Sequence, residues 1–209
     1  FNLKRNFTNY RFKKNNKKIF DVNSNIKNKG KILVEFNAFA TTHIPMSYFS
    51  NILSKLNDAK IVSYFPKKAK LKNYFYNLLF PFSPFAIHKS FGSTKIINPN
   101  YNKKILPSAL NRIKTKNDIL KIVLNKIHIG DLIYDEYLAK YGKSTIDLKS
   151  NVFKDHLIES FNLFYFWYDY ISNNKVKGII LSHSVYFGGI SLRIANYFII
   201  AKPEHILFS

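Results

Sequence analysis

The chain is 209 residues long, has no cysteine, and is 46% hydrophobic and 17% aromatic. This argues against a disordered chain and excludes a disulfide framework and thiolate chemistry, and no apolar run nears the roughly 20 residues that cross a bilayer. A formal charge of +21 rests on lysine, since only Arg5, Arg11, Arg112 and Arg193 are arginine. Arginine forks that read phosphates and guanine edges are therefore scarce. Asparagine, isoleucine and tyrosine are plentiful, as an AT-rich coding sequence would give without selection. Compositional drift ranks first as the origin of the charge, attraction to anionic lipid or phosphorylated substrates second, and nucleic acid last.

Residues 1–30 read as a basic, partly ordered lead-in without clear periodicity, ahead of a Rossmann-like domain over 31–209. Lys31 to Phe36 is a strand, followed by a loop to Ser47 that carries Asn37, Thr42, His43 and Pro45. A helix from Met46 to Leu56 and a strand over 59–65 complete a βαβ unit. Residues 71–91 predict a helix to Phe80 and a segment broken by Pro81 and Pro84, read as a packed helix and capping loop rather than as a surface touching lipid. A short strand covers 95–97. Leu106 to Lys126 predicts a helix that Lys116-Asn117-Asp118 kinks or splits. Gly130-Asp131 then starts another helix with Asp131 as N-cap, and Tyr134, Tyr137, Leu138 and Tyr141 follow at helical spacing.

After a brief extended piece at 145–148, Asp155 to Ile171 is an aromatic helix. It leads to the strand 176–182, whose continuous apolar run suits a parallel sheet covered on both faces. Ser182-His183-Ser184 and Tyr186 follow, then Gly188-Gly189 opens a helix with Ile190, Ile194, Ala195 and Phe198 inward and Arg193 on the other face. A last strand is expected over 205–208. The fold class is α/β, a mainly parallel sheet with helices on both faces. Phe1 in place of Met and the apolar end at Phe208 read as cuts in a longer protein.

Ligands of open α/β sheets sit outside the carboxyl ends of the strands. Three places fit: Asn37, Thr42 and His43 after the first strand; Asp131, Tyr134 and Asp135 at the Gly130 turn; and Ser182, His183, Ser184, Tyr186, Gly188 and Gly189. The plain alternatives are a proline-bent loop, a helix cap and a glycine packing contact. No HExxH or comparable spacing points to a metal. A Walker loop, a GxGxxG fingerprint and a GxSxG elbow are all absent.

Lys31-Ile-Leu-Val-Glu-Phe-Asn37 with His43-Ile-Pro-Met-Ser-Tyr-Phe49, Ile129-Gly-Asp-Leu-Ile-Tyr-Asp-Glu-Tyr-Leu138, and Ser182-His-Ser-Val-Tyr-Phe-Gly-Gly-Ile-Ser-Leu-Arg-Ile-Ala195 appear in that order. Together they resemble bacterial surface-carbohydrate biosynthesis proteins of the capsule and lipopolysaccharide group. The resemblance implies the amino-terminal, acceptor-side half of a GT-B type glycosyltransferase. The sugar nucleotide would be held by a second half outside these residues, so no cofactor is expected on this part. It also implies a glycan or lipid-linked acceptor and a cytoplasmic place at the inner face of the plasma membrane. His43 and His183 would then serve as base or leaving-group partner, with Asp131 as carboxylate. A polyol-phosphate transferase of cell-wall polymers, or a non-catalytic basic module for membrane or nucleic acid, are the alternatives.

Overall fold

Strands buried on both faces must be apolar on both faces, and Ile32-Leu33-Val34, Ile61-Val62 and Ile179-Ile180 meet that demand with almost no solvent exposure. In a computed structural model, which describes residues 3–20, 27–36, 40–81, 83–101 and 112–201, they form one sheet. Strands β1 (Lys31–Glu35), β2 (Lys60–Tyr64), β3 (Ser93–Ile97) and β6 (Val176–Ile180) lie in the order β3-β2-β1-β6 and pair in parallel throughout. This is the expected Rossmann-like α/β architecture. The strand expected at 205–208 falls outside the described residues.

The alternation of side chains divides the core in two. Ile32, Val34, Ile61 and Ile180 pack with Leu53 and Met46 of α2 (Ala40–Asn57) on one face. On the other, Leu33, Val62, Tyr64 and Ile179 meet α6 (Gly130–Tyr141), α7 (Asn151–Ser172) and α8 (Gly188–Ala201). Trp167 of α7 is fully buried there, edge-on to Tyr64 with ring centroids 4.9 Å apart. The chain winds outward from β1 through β2 to β3, then returns to place β6 on the free side of β1. The direction therefore reverses between β1 and β6, the switch point where α/β sheets open a crevice.

Three expectations are corrected. First, the lead-in is an 18-residue helix, α1 (Leu3–Phe20). Among its described side chains the seam is narrow. Phe12 and Phe20 pack on Phe91 at 6.2 and 5.1 Å, and the buried Asn16 between them donates to Ser90 Oγ at 3.4 Å. Second, α2 begins at Ala40 and includes Pro45, so Thr42 and His43 are helical rather than in a loop. Third, no long helix fills 112–126. Thr115 and Asp118 form a reciprocal capping box on α5 (Lys116–Leu120), and β4 (Val123–Leu124) and β5 (Ile127–His128) pair antiparallel. The Lys116-Asn117-Asp118 segment thus starts a helix; residues 102–111 are outside the described set. Residues 71–91 form α3 (Leu71–Leu79) and α4 (Pro84–Ser90), so the break at the prolines holds, but the segment beyond it is a helix rather than a capping loop and α3 leaves Leu71, Phe75 and Leu79 exposed instead of packed.

Phe91 carries the α1 contact, with Tyr48 of α2 also against it at 6.4 Å. Phe91→Ala should cost roughly 3–5 kcal/mol, and limited trypsin digestion should then cut at Lys17 and Lys18 before the sheet is attacked. Cleavage there at the wild-type rate would show that α1 is held by other contacts.

Candidate functional site

The last residue of β1 is a carboxylate. Glu35 shares a face with Leu33, is only 8% exposed, and so needs partners where it stands. It finds them just past β6: Oε2 accepts from the Ser182 backbone N–H at 2.7 Å and from Ser182 Oγ at 2.9 Å. The same side chain lines the crevice. A second carboxylate, Glu136 of α6, is equally buried. Its Oε2 accepts from the Phe187 N–H at 3.3 Å and its Oε1 from Lys67 Nζ at 3.1 Å. The segment 182–187 is thus hung between two acids, one at each end.

The glycines now have a structural cause. The Gly189 N–H donates back to the Val185 and Tyr186 carbonyls at 3.2 and 3.1 Å. A Cβ on Gly189 would sit 2.3 Å from the Ser184 carbonyl oxygen and 2.9 Å from Leu132 Cδ2, so only glycine allows this closure. Tyr186 takes a left-handed φ of 56° in the same turn. His183, Ser184, Val185 and Tyr186 are consequently turned out to solvent.

Between the two acids lies a cleft of about 300 Å³, lined by Glu35, Pro66, Lys67, Glu136, Ser182, His183, Val185, Tyr186, Phe187 and Gly188. It opens at the switch point between β1 and β6. Its base is aromatic. Phe187 stacks on the buried His156 ring at 5.3 Å and 11°, and His156 Nε2–H donates to the Ile133 carbonyl at 3.0 Å. Burial holds the His156 pKa below its ordinary value, so the ring is neutral. Burial, reinforced by the Glu35 charge, raises the Tyr64 hydroxyl well above its ordinary range while Ser191 lies beside it. Of the N–H groups at the start of α8, where a phosphate would bind, that of Phe187 goes to Glu136 and those of Gly189 and Ile190 go to chain carbonyls.

Of the residues picked from the sequence, His183, Ser182, Tyr186 and Gly188 line this cleft. Ser184 is exposed beside it and Gly189 closes the turn behind it. Because β1 and β6 are parallel neighbours, the start of α2 with Thr42 and His43 emerges on the same edge as Ser182. Thr42 is half-buried; the His43 side chain and Asn37 lie outside the described residues. Asp131 does not join the cleft. It is the second residue of α6 rather than its N-cap, a position Ile129 holds. Both its oxygens accept from Arg193 of α8 at 2.6 Å, and the guanidinium keeps its carboxyl below the usual carboxylate range. Arg193 thus faces α6 rather than solvent. Gly130 is required because a Cβ there would lie 2.1 Å from the Ile119 carbonyl oxygen. Tyr134 is buried under Lys116 Nζ, 4.6 Å from the ring centroid, and Asp135 is exposed.

Glu35, Lys67 and Glu136 were missed. Glu35 had a signal, a lone charge ending a strand apolar on both faces. Glu136 had none, since at about 100° per residue its facing depends on where α6 begins. Among the described residues no His/Cys/Asp/Glu group could hold a metal ion.

The fold and cleft define a class: a Rossmann-like α/β domain with an acid-clamped crevice at its switch point. Compared with protein-family models, curated proteins and solved structures, the chain has no significant match.

Glu136→Ala should cost about 1–3 kcal/mol, because it strands the buried Phe187 N–H. Asp131→Asn, on a pair that is partly exposed, should cost no more than about 1 kcal/mol. Urea unfolding of the two variants measures the difference, and equal losses would show that the clamp is no stronger than a surface pair.

His156 gives a pH signature. Its folded pKa lies below its unfolded one, so the unfolded chain binds the proton first and stability falls as pH drops below about 6.5. Unfolding midpoints should decline from pH 7.5 toward 5.5, and less steeply in His156→Leu. Parallel slopes would place the titrating group elsewhere.

Proposed function

We propose that this chain is the acceptor-side domain of a glycosyltransferase-like protein of cell-surface polysaccharide synthesis. One observation carries the choice of side. The cleft offers carboxylates, a histidine and hydroxyls, and a carboxylate already holds the Phe187 N–H at the start of α8, where a diphosphate would rest. Buried carboxylates accept hydrogen bonds from hydroxyl groups and repel phosphates. A glycan fits such a lining; a sugar nucleotide does not.

In that role His183 stands at the solvent side of the cleft, where an acceptor hydroxyl would enter, and serves as the general base. Glu35 and Ser182 orient the hydroxyls next to the reacting one. Lys67, held by Glu136, brackets the far side. The donor nucleotide, and the groups that stabilise its leaving diphosphate, belong to a second domain. His43, at the start of α2, remains a candidate for the same edge.

Saturation-transfer NMR distinguishes the sides. Neutral oligosaccharides should receive saturation from the protein and lose it in Glu35→Gln, whereas UDP- and GDP-sugars should receive little. Preferential saturation of nucleotide base and ribose protons would overturn the acceptor-side assignment. For the full-length polypeptide, a donor screen should show consumption of a sugar nucleotide rather than a CDP-alcohol. His183→Ala should then lower transfer by a factor of about 100 to 10,000; a loss below about tenfold would reduce His183 to a rim residue.

A further inference from the structure

The positive charge is not spread along the chain. Residues 1–117 carry 23 lysines and arginines against three carboxylates, a net +20; residues 118–209 carry ten against nine, a net +1. From 59 to 117 there is no aspartate or glutamate at all. Drift in base composition predicts a similar excess in both halves. The fold converts the asymmetry into a surface, because α1 to α4 and α5 to α8 derive from different halves, and α2 and α8 cover opposite faces of the sheet.

On the charged side one helix is inside out. Helix α3 turns Tyr74 and Leu78 toward Phe65 and Phe85 and buries Asn77. Leu71, Phe75 and Leu79, four residues apart and so on one stripe, are 65%, 50% and 75% exposed, with Tyr76 beside them at 46%. A surface helix ordinarily puts polar residues there. The exposed Lys68, Lys70 and Lys72 border the stripe. At its other end Lys13 of α1 reaches the Pro81 carbonyl at 3.4 Å, bringing the basic helix alongside. A cavity of about 500 Å³ between α1 and α4, lined by Lys13, Lys17, Lys89, Ser90, Ser93 and Thr94, adds cations and hydroxyls to the same side.

We propose that this side docks on an anionic lipid bilayer, with Leu71, Phe75 and Leu79 entering the interface and the lysines of α1 and of 68–72 meeting the headgroups. An apolar stripe flanked by lysines matches both layers of such a surface, acyl chains below and negative headgroups above. A nucleic acid would use the charge and leave the stripe unexplained. No described helix is long and apolar enough to cross a membrane, so the contact is peripheral. It does not depend on the glycan reading of the cleft.

Co-sedimentation with vesicles tests it. The protein should bind phosphatidylcholine vesicles containing phosphatidylglycerol, ignore pure phosphatidylcholine, and dissociate as salt rises, since exposed charges are screened beyond about 8 Å at physiological ionic strength. Phe75→Ser with Leu79→Ser should weaken binding by roughly tenfold or more, and Lys70→Gln with Lys72→Gln should weaken it as well. Val152→Ser, which removes an exposed apolar group from α7 instead, should change nothing. Circular dichroism checks that each variant is folded, and the lysine and salt arms stand if the stripe variant is not. Wild-type binding by a folded stripe variant, equal binding to neutral vesicles, or binding of single-stranded RNA but not of vesicles would each overturn the proposal.

Discussion

Glu35 ends β1 where the chain reverses its winding, and its Oε2 holds Ser182, two residues beyond the end of β6. Parallel strands are joined side by side by their backbone hydrogen bonds, but nothing in the ladder fixes what happens past the last rung. Here a side chain takes over that work. The carboxylate fixes where the segment after β6 begins, Glu136 fixes where it ends, and the Gly189 closure determines the path between. The crevice follows from these three constraints. Its shape is set by buried charge satisfied by backbone N–H groups, a strong kind of hydrogen bond in a low-dielectric setting.

The same clamp has a chemical side. A crevice at a switch point with a free helix N-terminus is a ready anion site. Filling that N-terminus with Glu136 changes what the crevice can attract. Lys67 partly offsets the new charge from the rim, and His156 beneath is neutral, so it adds no cation to the floor. The fold is one that binds nucleotides in many settings, while on the proposed reading the groups placed at its opening take hydroxyls. Fold and ligand preference would then be separable, with two side chains separating them.

The strands were legible in the sequence because burial on both faces leaves an unbroken apolar run, and Pro81 and Pro84 marked the break between α3 and α4. What failed has physical reasons. Among the described side chains of helix α1, Asn16 is buried and Phe12 and Phe20 are half-buried beside it, and a seam with a polar residue at its centre does not register as a periodic apolar face. The β4–β5 hairpin was hidden because Val123, Leu124 and Ile127 also suit a helical stripe. Its turn puts Asn125 and Lys126 at φ 48° and 68° without the glycine that usually announces such a turn. In the site, the 182–189 segment was readable from its strand, polar turn and glycines. Glu35 and Glu136 were not picked, because their importance arises from what approaches them across 147 and 51 residues of chain. Asp131 was misjudged for the same reason, since its partner Arg193 lies 62 residues away.

The winding has a further consequence for inheritance. Because the chain covers one side of the sheet before it turns back to cover the other, each side is encoded by an unbroken stretch of gene. The codons for α1 to α4 specify the lysine-rich side, and the later codons specify the side built from α6, α7 and α8. Mutational pressure or recombination confined to one stretch can therefore alter how one side meets its surroundings while the other keeps its chemistry. Where helices from distant parts of a chain alternate around a core, no such separation exists, and each local change in the gene would be felt on several sides at once.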